Sequence, residues 1–348
     1  MGVNLSVEND IHFPQRQELN GVRFVEGSQT GHYESYFLRA NHPTKPIAFW
    51  FRYTIFSPKA GSQVNGEKNL GELWAMVFDQ EKGCVVAAKE EIPFDQCYFS
   101  ANGLDVSIAD SAILKPGVLK GAASSGDNTI AWDLVYGGGQ QPLKLLPDNL
   151  YDTALPKAKA LVANPMVSFV GTITVNGDVY TVDRWVGSEN HNWGSKHTDQ
   201  YAWGQVAGFD NDPEAFLECG TARIKVGPLR TPWITTLVLR YDQKEIAINS
   251  IWQAVKAKAS YRYFHWDFDT RNDNVRVQGS IYGPRKNFVG LKYYNPPGDS
   301  NTCLNSKIAS CRLVVQEKGK PERVFETKHR AAFEILTADK DHGVTVIA

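Results

Sequence analysis

The residues that could carry out chemistry are concentrated in one stretch, 183–194. It reads Asp-Arg-Trp-Val-Gly-Ser-Glu-Asn-His-Asn-Trp-Gly, and two histidines and three tryptophans lie between residues 183 and 204. Aromatic walls with a few convergent polar groups are typical of small-molecule pockets. Tryptophans of this kind also pack ordinary cores, so a structural role for each of them stays open.

The elements that would position these residues are strands. Aromatic and β-branched runs bounded by turn residues predict a largely β protein, and Asn176-Gly177 between two such runs predicts a type I′ hairpin. The predicted strands are 46–56, 71–79, 97–108, 128–136, 167–175, 179–185, 201–208, 214–224, 234–241, 261–268, 275–282, 308–316 and 323–336.

Two segments depart from the strand pattern. Residues 137–165 contain a Gly-Gly-Gly break and several prolines, which predicts an irregular crossing with a helical turn at 155–162. Residues 246–258 place apolar side chains at helical spacing and are the main candidate for a helix. Many short strands with almost no helix favour barrels or sandwiches, and barrels suit apolar ligands better.

Composition excludes several classes of protein. A chain of 348 residues exceeds the usual size of one domain and indicates two. Its formal net charge of -1 gives no general attraction to nucleic acid or to anionic membranes. No apolar stretch is long enough for a transmembrane helix, and the polar beginning lacks a signal-peptide pattern, so we expect a cytoplasmic protein.

Cysteine and histidine spacing indicates neither a disulfide framework nor a metal site. The five cysteines lack CxxC spacing and are expected to be buried thiols, although Cys303 and Cys311 could close a loop under oxidising conditions. His191, His197 and Asp199 match no standard metal pattern, so we predict no metal. Nucleotide-binding and serine-hydrolase motifs are also lacking in the sequence.

Several segments, taken in order, resemble the carotenoid 1,2-hydratases (hydroxyneurosporene synthases), the AttH-like proteins and, more distantly, the tocopherol cyclases. They are 31–39, 49–54, 71–75, the His-x-Trp-Gly sequence at 191–194, 294–298 and 303–306. The resemblance implies an all-β fold of two lipocalin-like (calycin) antiparallel β-barrel domains in tandem, which we divide as 1–197 and 198–348. It also implies an apolar pocket in the first barrel or at the domain junction.

The chemistry implied by the resemblance acts on isoprenoid- or polyketide-like substrates without a metal or redox cofactor. An alkene is protonated and the cation is captured by water or an internal hydroxyl, or the pocket folds the substrate for a pericyclic cyclisation. The related sequences often carry aspartate where this chain has Asn190. An amide cannot donate a catalytic proton, so the acid would be His191 or a nearby carboxyl group, and Asn190 would hydrogen-bond a substrate oxygen.

We therefore predict a hydratase, lyase, isomerase or cyclase. The alternative is a lipocalin-type protein that binds an apolar ligand without converting it, and a scaffold with filled barrels is a third reading. A homodimer would be compatible with the exposed barrel edges. The predicted catalytic residues are His191, Asn190, Glu189 and Glu34. The predicted substrate-binding residues are Trp50, Trp74, Glu72, Trp193, Tyr201, Trp203 and Trp185. For Glu34 and Glu72, an ordinary surface position stays open.

Overall fold

The computed structural model describes residues 19–62, 68–226 and 229–347. Within these ranges the chain is an all-β protein with two antiparallel barrel domains in tandem, as the sequence predicted, and every strand ladder is antiparallel. The helices of the described part are all too short or too polar to cross a lipid bilayer.

The first barrel is a nearly closed sheet of 12 strands. Its strands are β1 (His32–Asn41), β2 (Ile47–Ser57), β3 (Leu70–Asp79), β4 (Cys84–Pro93), β5 (Cys97–Phe99), β6 (Val106–Ile108), β7 (Ala112–Lys115), β8 (Val118–Ser125), β9 (Asn128–Gly138), β10 (Leu143–Lys144), β11 (Ala158–Val175) and β12 (Asp178–Gly194).

The strand order of this sheet is β4-β3-β2-β1-β12-β11-β9-β8-β7-β6-β5, and β10 adds to β11. The barrel is closed by packing of β4 against β8, where the Ser124 amide donates a 2.7 Å hydrogen bond to Glu90. The long β11–β12 hairpin forms the wall on which residues 188–194 lie.

The second barrel is a half-closed sheet of ten strands, with a small separate hairpin. Its strands are β13 (Gln200–Ala207), β14 (Phe216–Arg223), β17 (Ile234–Tyr241), β18 (Lys244–Ile248), β19 (Lys258–Arg262), β20 (His265–Arg271), β21 (Val275–Tyr282), β22 (Val289–Tyr294), β23 (Ser300–Glu317) and β24 (Arg323–Thr337), and the hairpin is β15 (Lys225–Val226) with β16 (Leu229–Arg230).

The order of the second sheet is β18-β17-β14-β13-β24-β23-β21-β20-β19, with β22 paired to β23. The helix α1 (Ile251–Lys256) connects the two edge strands of this sheet. Ser250 caps it, because its hydroxyl accepts from the Gln253 amide while the Gln253 side chain accepts from the Ser250 amide.

β2 shows how the two barrels meet, because all of its residues are buried although the sheet is antiparallel. Phe49 and Phe51 point into the first barrel, whereas Trp50 packs in a second apolar cluster shared with the other domain. An antiparallel sheet usually leaves one face to water. Here the second domain covers that outer face, so both faces of β2 lie in apolar surroundings.

The structure also tests the local predictions. The type I′ turn is confirmed, since Asn176 and Gly177 have φ values of 51° and 94° between two paired strands. The helical turn at 155–162 is wrong, because β11 begins at Ala158 and its backbone groups pair with those of β12. The helix at 246–258 is correct only for Ile251–Lys256, because the residues before it form β18.

Candidate functional site

A cavity of about 670 Å³ lies between the two barrels, on the outer face of the first one. β1, β2 and β12 form one wall, and β13, β14 and β24 form the wall opposite, with the segment after β10 at one side. Much of its lining is aromatic: Tyr33, Phe37, Trp50, Tyr201, Trp203 and Tyr293. Aromatic rings therefore lie on both walls of the cavity.

A buried carboxylate stands in this cavity. Glu334 of β24 lines it, and Oε1 of Glu334 lies 2.7 Å from Nζ of Lys307 and accepts a 2.9 Å hydrogen bond from Asn305. The hydroxyl of Tyr201 donates to Oε2 at 3.4 Å. Burial lowers the pKa of Lys307 below its ordinary value, and the opposing effect of Glu334 is smaller. Glu334 and Lys307 thus form a close, buried pair at the edge of the cavity.

Two more polar groups of the cavity are Arg52, which the sequence did not single out for chemistry, and His197, which was weighed there only as a metal ligand. Arg52 of β2 lines it with its guanidinium above the ring of Tyr293, at 4.5 Å. His197 stacks on Tyr33 with ring centroids 3.8 Å apart. Burial, and then the charge of Arg52, lower the pKa of His197 to about 3, so its imidazole is neutral.

Of the predicted substrate-binding residues, Trp50, Tyr201 and Trp203 line the cavity. The other four lie elsewhere. Trp185 is in the core of the first barrel, Trp193 packs against His191, and Trp74 is buried behind Trp50. Glu72 is buried and forms an ion pair with Lys89 at 2.8 Å, so the alternative of a surface position is wrong for it.

His191 lies on the opposite face of β12, inside the first barrel. Its Nε2 is 2.7 Å from Oε1 of Glu34, its Nδ1 is 3.2 Å from the carbonyl oxygen of Leu19, and it is fully buried. Glu34 also accepts hydrogen bonds from the backbone amides of Arg23 and Phe24. A surface position for Glu34 is therefore wrong.

Electrostatics keeps Glu34 ionised. Burial raises the pKa of this carboxyl group, but hydrogen bonds from His191 and His32 outweigh burial and lower it to about 2. Glu189 lies nearby, with the Asn20 amide donating to Oε1 at 2.7 Å and the Tyr136 hydroxyl to Oε2 at 3.0 Å. His191, Glu34 and Glu189 thus form a cluster inside the barrel, beneath residues 19–24, and none of them lines the cavity.

Asn190 faces the second domain and bridges the two barrels. Its Nδ2 donates to Ser188 at 2.9 Å, and its Oδ1 accepts from Gln205 of β13 at 2.8 Å. The same amide of Gln205 donates to Glu218, which also accepts from Nε1 of Trp203 at 2.7 Å. Burial raises the pKa of Glu218 to about 7. Asn190 is therefore joined to the cavity lining through Gln205, Glu218 and Trp203, and through a 3.3 Å hydrogen bond to the carbonyl oxygen of Phe37.

The remaining sequence predictions concern cysteines and metals. Cys303 and Cys311 are free thiols in one strand, eight residues and roughly 26 Å apart along it, so they cannot form a bond in this fold. Among the described residues, no group of three or more histidine, cysteine, aspartate or glutamate side chains is arranged to hold a metal ion.

Comparison with solved structures gives similar proteins over almost the whole chain. An AttH candidate from Nitrosomonas europaea has a TM-score of 0.54 at 12% identity, covering 95% of this chain and 98% of that one. Kievitone hydratase from Nectria haematococca has a TM-score of 0.51 at 12% identity, covering 92% and 95%. CghA bound to Sch210972 has a TM-score of 0.53 at 9% identity, with the same coverage.

The chain shares the two-barrel fold of these proteins. At such low identity the likeness concerns the fold alone, and it agrees with the fold that the sequence resemblance implied. No protein-family model matches the chain, and no curated protein matches it by sequence.

Three residues of the site escaped the sequence analysis, namely Glu334, Lys307 and Arg52. A signal was present: Glu334 interrupts the apolar run Ala-Ala-Phe-Glu-Ile-Leu of residues 331–336, and Arg52 interrupts the apolar run 47–56. A charge inside such a strand must be buried or must face another domain, and buried charges need partners. Scanning each predicted strand for lone charges would have found Glu334 and Arg52, but not Lys307, which precedes the predicted strand 308–316.

Proposed function

We propose that the protein is an enzyme of the hydratase or cyclase type that binds a hydrophobic, isoprenoid- or polyketide-like molecule in the cavity between its barrels and acts without a redox cofactor. The observation that carries this proposal is the aromatic cavity with a buried carboxylate, Glu334, in its wall. A volume of about 670 Å³ suits a ligand of this size. One protein of the same fold is named a hydratase.

The proposed chemistry begins with Glu334 as a base. In this role Glu334 acts as a carboxylate, and Nζ of Lys307 lies 2.7 Å from its Oε1. In the hydration of an alkene conjugated to a carbonyl group, Glu334 would take a proton from water as the C–O bond forms at the β-carbon. The same proton would then pass through the hydroxyl of Tyr201 to the α-carbon, which restores both side chains. In a cyclisation, an internal hydroxyl would replace the water.

The aromatic walls would contribute orientation. Trp50 and Trp203 stand on opposite walls, with Nζ of Lys307 at 5.3 and 5.5 Å from their rings. A long flexible chain between such rings is held in few conformations, which lowers the entropic barrier to an internal reaction.

The experiment incubates the purified protein with a panel of isoprenoid and polyketide alkenes and follows the products by mass spectrometry. Addition of water raises the mass of a substrate, whereas cyclisation leaves the mass unchanged and alters retention. We expect Glu334→Gln to abolish conversion. The control is Glu326→Gln, which removes a glutamate from an exposed ion pair with Arg312. Conversion that survives in Glu334→Gln would refute the role given to Glu334.

A carrier protein is the second candidate. The oxygens of Glu334 already accept from Asn305 and Tyr201, as a structural carboxylate would. The same panel separates the two functions, since a carrier binds members of the panel and returns them unchanged.

A further inference from the structure

Arg52 is a buried charge without a partner. Its side chain is 5% exposed, and it lies in the wall of the inter-domain cavity. No hydrogen bond or ion pair joins its guanidinium to a described residue, and Nε is fully buried with no acceptor. An arginine cannot lose its charge to relieve this, and a buried charge without partners is strongly unfavourable.

Burial lowers the pKa of Arg52, but Tyr293, Glu72 and Glu334 outweigh burial and raise it, so its charge is stabilised although its Nε has no hydrogen-bond acceptor. Two carboxylates stand near it, but Lys89 pairs with Glu72 and Lys307 pairs with Glu334. The charges within each of these two pairs cancel, so Arg52 leaves this region with one net positive charge. The ring of Tyr293 beneath the guanidinium offers a π face, which attracts a cation but accepts no in-plane hydrogen bond.

A second donor stands two positions away on the same face of β2. Nε1 of Trp50 is buried and has no acceptor, and Trp50 also lines the cavity. Alternate residues of a strand point the same way, so these two donors belong to one patch of the cavity wall. Two unsatisfied donors, one of them charged, are complementary to a group that presents two oxygens and a negative charge.

We propose that the ligand of the cavity carries an acidic oxygen group, a carboxylate or an enolic acid, which binds Arg52 and Trp50 while its apolar body lies between the aromatic walls. This inference rests on the proposed function, because it takes the cavity as the substrate site. It adds the polarity of the ligand and its orientation: the acidic end at β2, and the apolar chain beside Tyr201 and Glu334.

The test uses two probes with one apolar body, dansyl-undecanoic acid and its methyl ester, which differ in charge. Fluorescence titration measures the Kd of each. We expect the wild type to bind the acid at least about tenfold more tightly than the ester, the usual order of a charged hydrogen bond. Arg52→Met should remove that preference by weakening the acid alone.

The control variant is Lys157→Met, which removes an exposed positive charge that also lines the cavity. It should keep the preference for the acid. Equal binding of acid and ester by the wild type, or a preference that persists in Arg52→Met, would overturn the inference and leave the proposed function standing. Failure of both probes to bind the wild type would instead count against the cavity as a ligand site.

Thermal denaturation guards against a folding artefact. Because Arg52→Met removes a buried unpaired charge, the ligand-free variant should unfold at a temperature no lower than the wild type. The acid probe should raise the Tm of the wild type more than that of the variant. A ligand-free variant that is clearly less stable than the wild type would show that Arg52 serves the fold, and would contradict the inference.

Discussion

Two buried polar clusters lie on opposite faces of the same wall of the first barrel, and they differ in how completely their groups are paired. In the barrel cluster, Glu34 and His191 satisfy each other, and backbone amides of residues 23 and 24 supply further donors to Glu34. The second cluster, which we call the cavity cluster, consists of Arg52, Trp50, Glu334 and Lys307. Within it, Arg52 lines the open cavity and its Nε has no hydrogen-bond acceptor. Donors left unpaired at a cavity indicate a place for a ligand.

His191, the first residue of the His-x-Trp-Gly sequence, and the preceding Asn190 lie on opposite faces of β12. Successive residues of a strand point to opposite faces, so His191 belongs to the barrel cluster while Asn190 belongs to the domain interface. Their adjacency in the chain therefore does not make them one site. The predictions that follow are designed to break one cluster while leaving the other intact.

The largest effect is expected from breaking the contact between Glu34 and His191 in the barrel cluster. Glu34→Gln removes the charge that faces His191 and weakens the acceptor of two backbone amides. Loss of one partner of a buried pair destabilises by about 3–5 kcal/mol. Urea denaturation of the variant should show a loss of this size, and a change below about 1 kcal/mol would mean that the cluster does not support the fold.

Acid should reproduce part of that loss. The folded pKa of Glu34, about 2, is below its ordinary value of 4.5, so its contribution is fully present above pH 4.5 and is lost as the pH falls towards 2. The difference corresponds to roughly 3 kcal/mol. Unfolding free energy measured across this range should fall more steeply in the wild type than in Glu34→Gln, and parallel curves would contradict the pairing.

Glu218, at the interface between the two barrels, should make the free energy of unfolding depend on pH in the opposite direction. The folded pKa of Glu218, about 7, exceeds its ordinary value of 4.5, so the folded state holds this proton more tightly than the unfolded chain. This contribution is present below pH 4.5 and is lost as the pH rises through 7. In Glu218→Gln, the fall in the free energy of unfolding between pH 4.5 and pH 7 should be smaller than in the wild type. A pH profile identical to that of the wild type would show that Glu218 does not titrate in this range.

The smallest loss of stability is expected at Trp203, which lines the cavity and donates a hydrogen bond to Glu218. Trp203→Phe keeps an aromatic ring but removes the indole donor to Glu218. Loss of one such hydrogen bond should destabilise by about 1–3 kcal/mol, because the acceptor is buried. Denaturation at pH 8 and pH 5 measures it, with the larger loss expected at pH 8, where Glu218 is ionised. A loss that is the same at both values would contradict the coupling.

Much of the fold could be predicted from the sequence, because the pattern of one strand depends on local residues. The β2 region and the Asn176-Gly177 turn were predicted on that ground. The start of β11 at Ala158 was missed, since pairing with a distant strand overrides a local proline-rich signal. Tandem barrels followed from the resemblance rather than from the pattern.

The site was harder to predict, because it depends on which face of a strand the second domain covers. Trp50, Tyr201 and Trp203 were found as aromatics, but the sequence could not place Trp185 in the barrel core rather than in the cavity. Arg52 was overlooked, since its importance comes from the lack of a partner, which only the packing of two domains reveals.

The central claim is that chemistry takes place at the cavity cluster and not at the barrel cluster. The most direct test measures kcat for Glu334→Gln and His191→Gln side by side, on the first substrate that the wild type converts. Each kcat is calculated from the concentration of folded protein. We expect Glu334→Gln to lose at least about 100-fold and His191→Gln to stay within a few-fold of the wild type. A large loss in His191→Gln with full activity in Glu334→Gln would contradict the account.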